Sequence, residues 1–176
     1  YVQDIGALAP FGEPGYTTLE RIWARPTLEL NGIWGGFAGE GSKTVLPNFA
    51  AAKISCRLVP DQDPDRITQL LTSHIEAIAP ATVRAEVKAI LGGKPALVPR
   101  DHPAIESAAR AIERGFGKRP VFTRSGGSIP VVATLQELLG ISTILMGFCL
   151  PDCNAHAPNE RMNLAHFYAG ARTAAA

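Results

Sequence analysis

The sequence predicts a mixed α/β fold in two parts. A small open-faced antiparallel α+β sandwich comes first, and the C-terminal part of an α/β domain with a parallel sheet follows. Three observations predict it. Stretches such as "TLELNGI" and "TVRAEVKAI" alternate apolar and polar residues with period two, the pattern of half-buried strands. Apolar residues recur at helical spacing over 64–78 and 103–116. The run "STILMGFC" at 142–149 is apolar throughout, as befits a strand covered on both faces of a parallel sheet.

The totals are those of a globular chain. It has 176 residues, 46% hydrophobic and 19% charged, enough for one ordinary domain or two small ones. Seventeen Lys+Arg against sixteen Asp+Glu leave a formal charge of +1, which argues against nucleic acid or a charged membrane surface as partner. No apolar run is long enough to span a bilayer. Cys56, Cys149 and Cys153 are odd in number and irregular in spacing, so a disulfide framework is not expected and a reducing, cytoplasmic compartment is. The first residue is Tyr1 and the opening is irregular, from which we expect the chain to be a piece of a longer protein.

Residues 1–26, rich in Pro and Gly, read as a linker with a helical turn near Leu19 to Trp23. "TLELNGI" is a strand with Leu28 and Leu30 on one face. The glycine-rich "WGGFAGEGSKTVLPN" after it, with Thr44, is a hairpin connection by default. "FAAAKISCRLV" is a second strand, with Ala52, Ile54, Cys56 and Leu58 opposite Lys53, Ser55 and Arg57. Asp63 caps and Pro64 opens a helix whose stripe is Ile67, Leu70, Leu71, Ile75 and Ile78, with His74 packed on it. "TVRAEVKAI" at 82–90 is a third strand, and its solvated face favours antiparallel pairing.

"GGKPALVPRD" at 92–101 reads as a boundary. Beyond it a helix starts after an exposed His102, turns Ile105, Ala109, Ile112 and Phe116 inward, and ends at Gly117. "RPVFTR" is a short strand, "VVATLQELLG" a helix ending at Gly140, "STILMGFC" the buried strand, and "LAHFYAGARTAAA" a last helix that carries His166. Two buried strands do not make a parallel sheet alone, so further strands are expected from outside this chain.

The loop "PDCNAHAPNERMN", 151–163, directly follows the buried strand, where α/β sheets place their chemistry. His156 at its centre is either a metal ligand, assisted by Asp152 or Glu160, or a loop histidine bonded to backbone. A zinc cluster of Cys149, Cys153 and His156 lacks a fourth ligand at suitable spacing. "RSGGSIP" offers backbone N–H groups and the Ser128 hydroxyl to an anion at a helix start, or is simply a tight turn. It is neither a phosphate loop nor a nucleophile elbow. Arg57 is either solvated or a bidentate carboxylate clamp.

Taken in order, "RPTLELNGIWGGFAGEGSKTVLPNFAAAKISCRLVPD", "GGKP", "HPAIESAARAIERGFGKRPVFTRSGGSIPV" and "NAHAPNERMN" resemble the dinuclear zinc-dependent exopeptidases. Carnosinase-type and cytosolic non-specific dipeptidases are the nearest in style; aminoacylase and desuccinylase are more distant. The resemblance implies a catalytic α/β domain holding two divalent metal ions (zinc, or manganese or cobalt) and an inserted lid that forms a homodimer. Here 27–97 would be the lid and 98–176 the C-terminal part of the catalytic domain. It implies His156 as a metal ligand, Arg57 and Ser128 as holders of the substrate's carboxylate or backbone, and Gly126 and Gly127 as the turn facing the substrate. Thr44 would reach the neighbouring subunit's active site. The other ligands and the glutamate general base have no counterpart here, so the isolated chain is expected to be inactive. Leu91 and Ser125 depart from the carnosinase pattern, which usually has histidine and glutamate there. The implied reaction is hydrolysis of the amide bond of a dipeptide or acyl-amino acid by a metal-activated water. The competing expectation is a non-catalytic self-association module.

Overall fold

The computed structural model describes residues 2–90, 92–124 and 129–176. Its elements run α1 (Val2–Ile5), α2 (Thr18–Ala24), β1 (Thr27–Gly35), β2 (Ala50–Arg57), α3 (Pro64–Ile78), α4 (Pro103–Phe116), α5 (Pro130–Leu139) and α6 (Leu164–Ala174). The chain divides into two compact units, Tyr1–Ala96 with Arg124–Ala133, and Leu97–Thr123 with Thr134–Ala176.

In the first unit, the residues read as a linker hold α1 and α2. Thr17 caps α2 in a reciprocal box: its Oγ1 accepts from the Glu20 N–H at 3.3 Å, and its own N–H donates to Glu20 Oε2 at 2.7 Å. Arg25 forks onto Glu13 through two hydrogen bonds of 2.7 Å and lies over the Tyr16 ring.

β1 and β2 form a two-stranded antiparallel sheet. Leu28 opposes Cys56, Leu30 opposes Ile54, and Gly32 then opposes Lys53, so Asn31 is the extra residue of a β-bulge. The bulge keeps Ile33, opposite Ala52, on the face of Leu28 and Leu30. The other face carries Thr27, Glu29, Lys53, Ser55 and Arg57, and Ser55 reaches Glu29 across the strands at 3.5 Å.

α3 begins as expected, with Asp63 accepting from the Arg66 N–H at 2.9 Å and Pro64 in the first turn. It packs on neither strand of its unit. His74, expected among packed side chains, is therefore exposed. Of the apolar stripe that the helical spacing marks, Ile67, Leu71 and Ile75 are half-buried and Leu70 and Ile78 exposed.

In the second unit, α4 and α6 pack on each other. Ala109, Ala169 and Thr173 are buried there, and Thr173 Oγ1 donates to the Ala169 carbonyl one turn back at 2.9 Å. Glycines allow the close approach. A Cβ on Gly115 would overlap Thr173 Oγ1 and lie 2.8 Å from the Ala169 carbonyl, and one on Gly170 would lie 2.9 Å from the Phe148 ring. Phe116 stacks on Phe148 at 5.5 Å between centroids, and His166 meets Phe116 edge-on. His102 is half-buried rather than exposed, because its Nδ1 caps α4 by accepting from the Ala104 N–H at 3.2 Å.

Three predicted strands are not found. Residues 82–90, 119–124 and 142–149 form no ladder. In "STILMGFC", expected to be covered on both faces, Leu145 and Met146 are exposed. Alternation and apolarity say which faces favour burial, whereas a ladder needs a neighbouring strand, and a parallel strand needs one on each side. Ala85 and Val87 still lie deeper than Arg84, Glu86 and Lys88, so the alternation survives without the hydrogen bonds.

Candidate functional site

The loop carrying His156 is a chain of short-range constraints. It opens with a 3-10 turn, Pro151–Cys153, closed by the Cys153 N–H donating to the Leu150 carbonyl at 3.1 Å. The Ala157 N–H then donates to the Asn154 carbonyl at 3.0 Å, which places His156 third in a four-residue turn. Asn154, His156 and Asn159 all have positive φ, at 53°, 62° and 61°. Non-glycine residues seldom adopt that conformation, and asparagine and histidine are among those that adopt it most readily. His156 itself is exposed.

Arg161 closes the loop. Its N–H donates to the Cys153 carbonyl at 2.9 Å, its Nε–H to the Asp152 carbonyl at 3.1 Å, and an Nη2–H to Asp152 Oδ2 at 2.8 Å. Two residues later Asn163 caps α6, accepting from the N–H groups of Ala165 at 2.9 Å and His166 at 3.3 Å. Ahead of the loop, His166 Nδ1–H donates to the Phe148 carbonyl at 3.1 Å, which fixes that proton on Nδ1. A recess of about 220 Å³ beside the loop is lined by Leu150, Asp152, Cys153, Arg161, Met162 and Asn163.

All three cysteines are free. The Cys153 thiol hydrogen-bonds to Cys149 and raises its pKa, and the Glu160 carboxylate adds a smaller push in the same direction. Burial first, and the Glu29 charge second, raise Cys56. A protonated thiol is a poor metal donor.

The remaining candidates lie in the first unit. Arg57 is exposed on the polar face of β2, its N–H bonded to Thr27 Oγ1 at 3.4 Å. Thr44 sits in the connection between the strands, where the Val45 N–H closes a tight turn on the Lys43 carbonyl at 2.9 Å. Arg57 closes β2, whereas Thr44 lies in the connection six residues ahead of the strand's first residue, Ala50. Gly126, Gly127 and Ser128 lie outside the described residues, as do Leu91 and Ser125.

No group of three His, Cys, Asp or Glu side chains among the described residues is arranged to hold a metal ion. Among the described residues, the loop presents the His156 imidazole exposed and on a left-handed backbone, with the exposed Glu160 four residues on. Asp152 is engaged by Arg161. His156 thus fits as one donor of a set, and not as a site on its own. The clamp by Arg161 and the left-handed turn were not read from the sequence. Asn154 and Asn159, residues that favour positive φ, were the available signal.

Residues 3–83 match the peptidase dimerisation domain of the M20 peptidases. The chain is 34% identical over 159 residues to the Cys-Gly metallodipeptidase of Saccharomyces cerevisiae, covering 88% of this chain and 33% of that protein. It is 31% identical over 161 residues to the Beta-Ala-His dipeptidase of Homo sapiens, covering 90% of this chain and 32% of that one. In structure it is similar to the Saccharomyces cerevisiae dipeptidase Dug1p, with a TM-score of 0.82 and 28% identity over 99% of this chain and 37% of that chain. The chain thus matches the dimerisation domain of the M20 peptidases over 3–83 and is similar along most of its length to metallodipeptidases. It spans about a third of the length of the curated relatives it matches. No helix among the described residues is long and apolar enough to cross a membrane.

Proposed function

We propose that this chain is part of a metal-dependent dipeptidase or acyl-amino-acid hydrolase. In this reading residues 27–97 are a lid through which two copies form a homodimer, and 98–176 are the C-terminal part of the catalytic domain. The observation that carries the reading is that the likeness to metallodipeptidases runs over 159 residues, and so through both units, rather than over the dimerisation domain alone.

His156 contributes one metal-binding nitrogen from its clamped loop. Two divalent ions, zinc or else manganese or cobalt, would be held by His156 together with donors from outside this chain, and when bound would supply a water of lowered pKa. Arg57 orients a short substrate by forking onto its carboxylate, and Ser128 with the Gly126–Gly127 turn holds the substrate backbone. Thr44 reaches the partner's active site. A cytoplasmic location is in keeping with three free cysteines. The isolated chain is inactive, because one imidazole does not hold two ions.

The test is hydrolysis of Cys-Gly and of β-alanyl-histidine by the full-length protein with zinc or manganese. Replacing a metal ligand, His156→Ala, should lower kcat by at least ~100-fold. Turnover by the pure 176-residue chain, or an unimpaired His156→Ala enzyme, would sink the proposal. The match at 3–83 also favours a simpler reading, a self-association module without catalysis. Metal analysis separates the two: two ions per subunit favour the enzyme, and none favours the module.

A further inference from the structure

The structure assigns Arg161 as the positioning residue for His156, with Asp152 as its anchor. The inference rests on His156 being a metal ligand, and it concerns how this chain prepares that ligand. Arg161 bonds to Asp152 and Cys153 with its backbone N–H, its Nε and its Nη2 at once. These bonds join the two ends of the segment 153–161, and His156 lies inside the ring they close. Within that ring Asn154, His156 and Asn159 hold a left-handed conformation that is uncommon outside glycine, although asparagine and histidine adopt it more readily than most. Among the described residues the other backbone constraints within the loop are single turn bonds.

The energetics favour geometry over stability as the role of this pair. Arg161 and Asp152 side chains are each 64% exposed, and exposed ion pairs contribute little to folding. The backbone N–H bond to Cys153 needs no particular side chain, whereas the Arg161 side chain adds a bond to the Asp152 carbonyl beside the ion pair, so what it fixes is the path of the chain. One end of the ring adjoins α6, since Arg161 lies two residues before the Asn163 cap, and the run ahead of the loop is tied to α6 where His166 meets the Phe148 carbonyl. The loop is thereby anchored beside a helix. A donor whose backbone is already fixed loses less entropy when it binds.

The experiment uses the full-length protein and zinc alone, titrated against a chromophoric chelator, with the cobalt(II) absorption spectrum as a second readout. Arg161→Ala should weaken zinc binding about tenfold, the low end for residues that orient a ligand. It should also alter the cobalt spectrum while leaving the melting temperature unchanged. Arg161→Lys keeps the charge but not the fork, and should recover part of the loss; it also decides the matter if Arg161→Ala fails to fold. Zinc affinity and cobalt spectrum unchanged in Arg161→Ala, with affinity lost in His156→Ala, would overturn the clamp and leave the ligand standing. Affinity unchanged in both variants would overturn the ligand, and the clamp's role with it.

Discussion

Between α4 and α6, Ala109, Ala169 and Thr173 are shut away from solvent by this chain alone, whereas on the β1–β2 hairpin Leu28, Leu30 and Ile33 are 58%, 57% and 72% exposed. Both regions are amphipathic, and only one finds its cover locally. The helices succeed with small residues: Gly115 lets α4 approach the α6 backbone at Ala169, and Gly170 makes room for the Phe148 ring. The hairpin carries larger side chains, but two strands alone make a marginal sheet. Full burial of such a side chain is worth about 1.5–3 kcal/mol, so much of the hairpin's apolar face is unused within its two strands. The difference teaches that a buried core and an apolar surface are separate facts, and that the second calls for a cover beyond the element that bears it.

The comparison breaks most readily at the helix pair. Gly115→Val should destabilise the second unit by about 3 kcal/mol, the upper range for overpacking, because a side chain there meets Thr173 and the Ala169 carbonyl. Urea unfolding followed by α4 and α6 amide exchange would register it, and an unmoved midpoint would mean the helices sit further apart. At the hairpin the expectation is the reverse. Leu30→Ser in the 176-residue chain should shift stability by only about 0.5 kcal/mol, as for an exposed position. A loss several times larger would show that the face is covered after all.

The smallest effect lies at α2. The Thr17 N–H, and then its hydroxyl, hydrogen-bond the Glu20 carboxylate and hold its pKa below the ordinary 4.5. The folded pKa is depressed, so the contribution is present above the unfolded value and is lost as pH falls through the folded one. A carboxyl titration by NMR should find Glu20 below 4.5, moving up in Thr17→Ala. An unshifted Glu20 would remove the capping box as a source of order in this segment.

The helices were legible because their ends are written in local chemistry. Asp63 with Pro64 starts α3, while Gly117 and Gly140, at φ 72° and 64°, follow α4 and α5. The first two strands were legible because they pair with each other. The strands expected at 82–90, 119–124 and 142–149 show the limit: their patterns state a wish for neighbours that the chain's own elements do not grant. His156 stood out as a loop histidine after an apolar run. Its left-handed backbone did not, nor did the reach of Arg161 over nine residues to Asp152, because a long side chain's target follows from the folded loop and not from spacing.

Asn31 carries a consequence for how relatives of this chain are aligned. A strand's faces alternate like odd and even numbers, and one added residue normally inverts everything beyond it. The bulge absorbs the addition, so removing Asn31 would join Leu30 to Gly32 and return a regular strand with Leu28, Leu30 and Ile33 still side by side. Removing Glu29 instead would throw Leu28 and Leu30 onto opposite faces. A one-residue gap at Asn31 in a homologue therefore reads as the same hairpin spelled without its spare letter, while a gap two residues earlier marks a different surface.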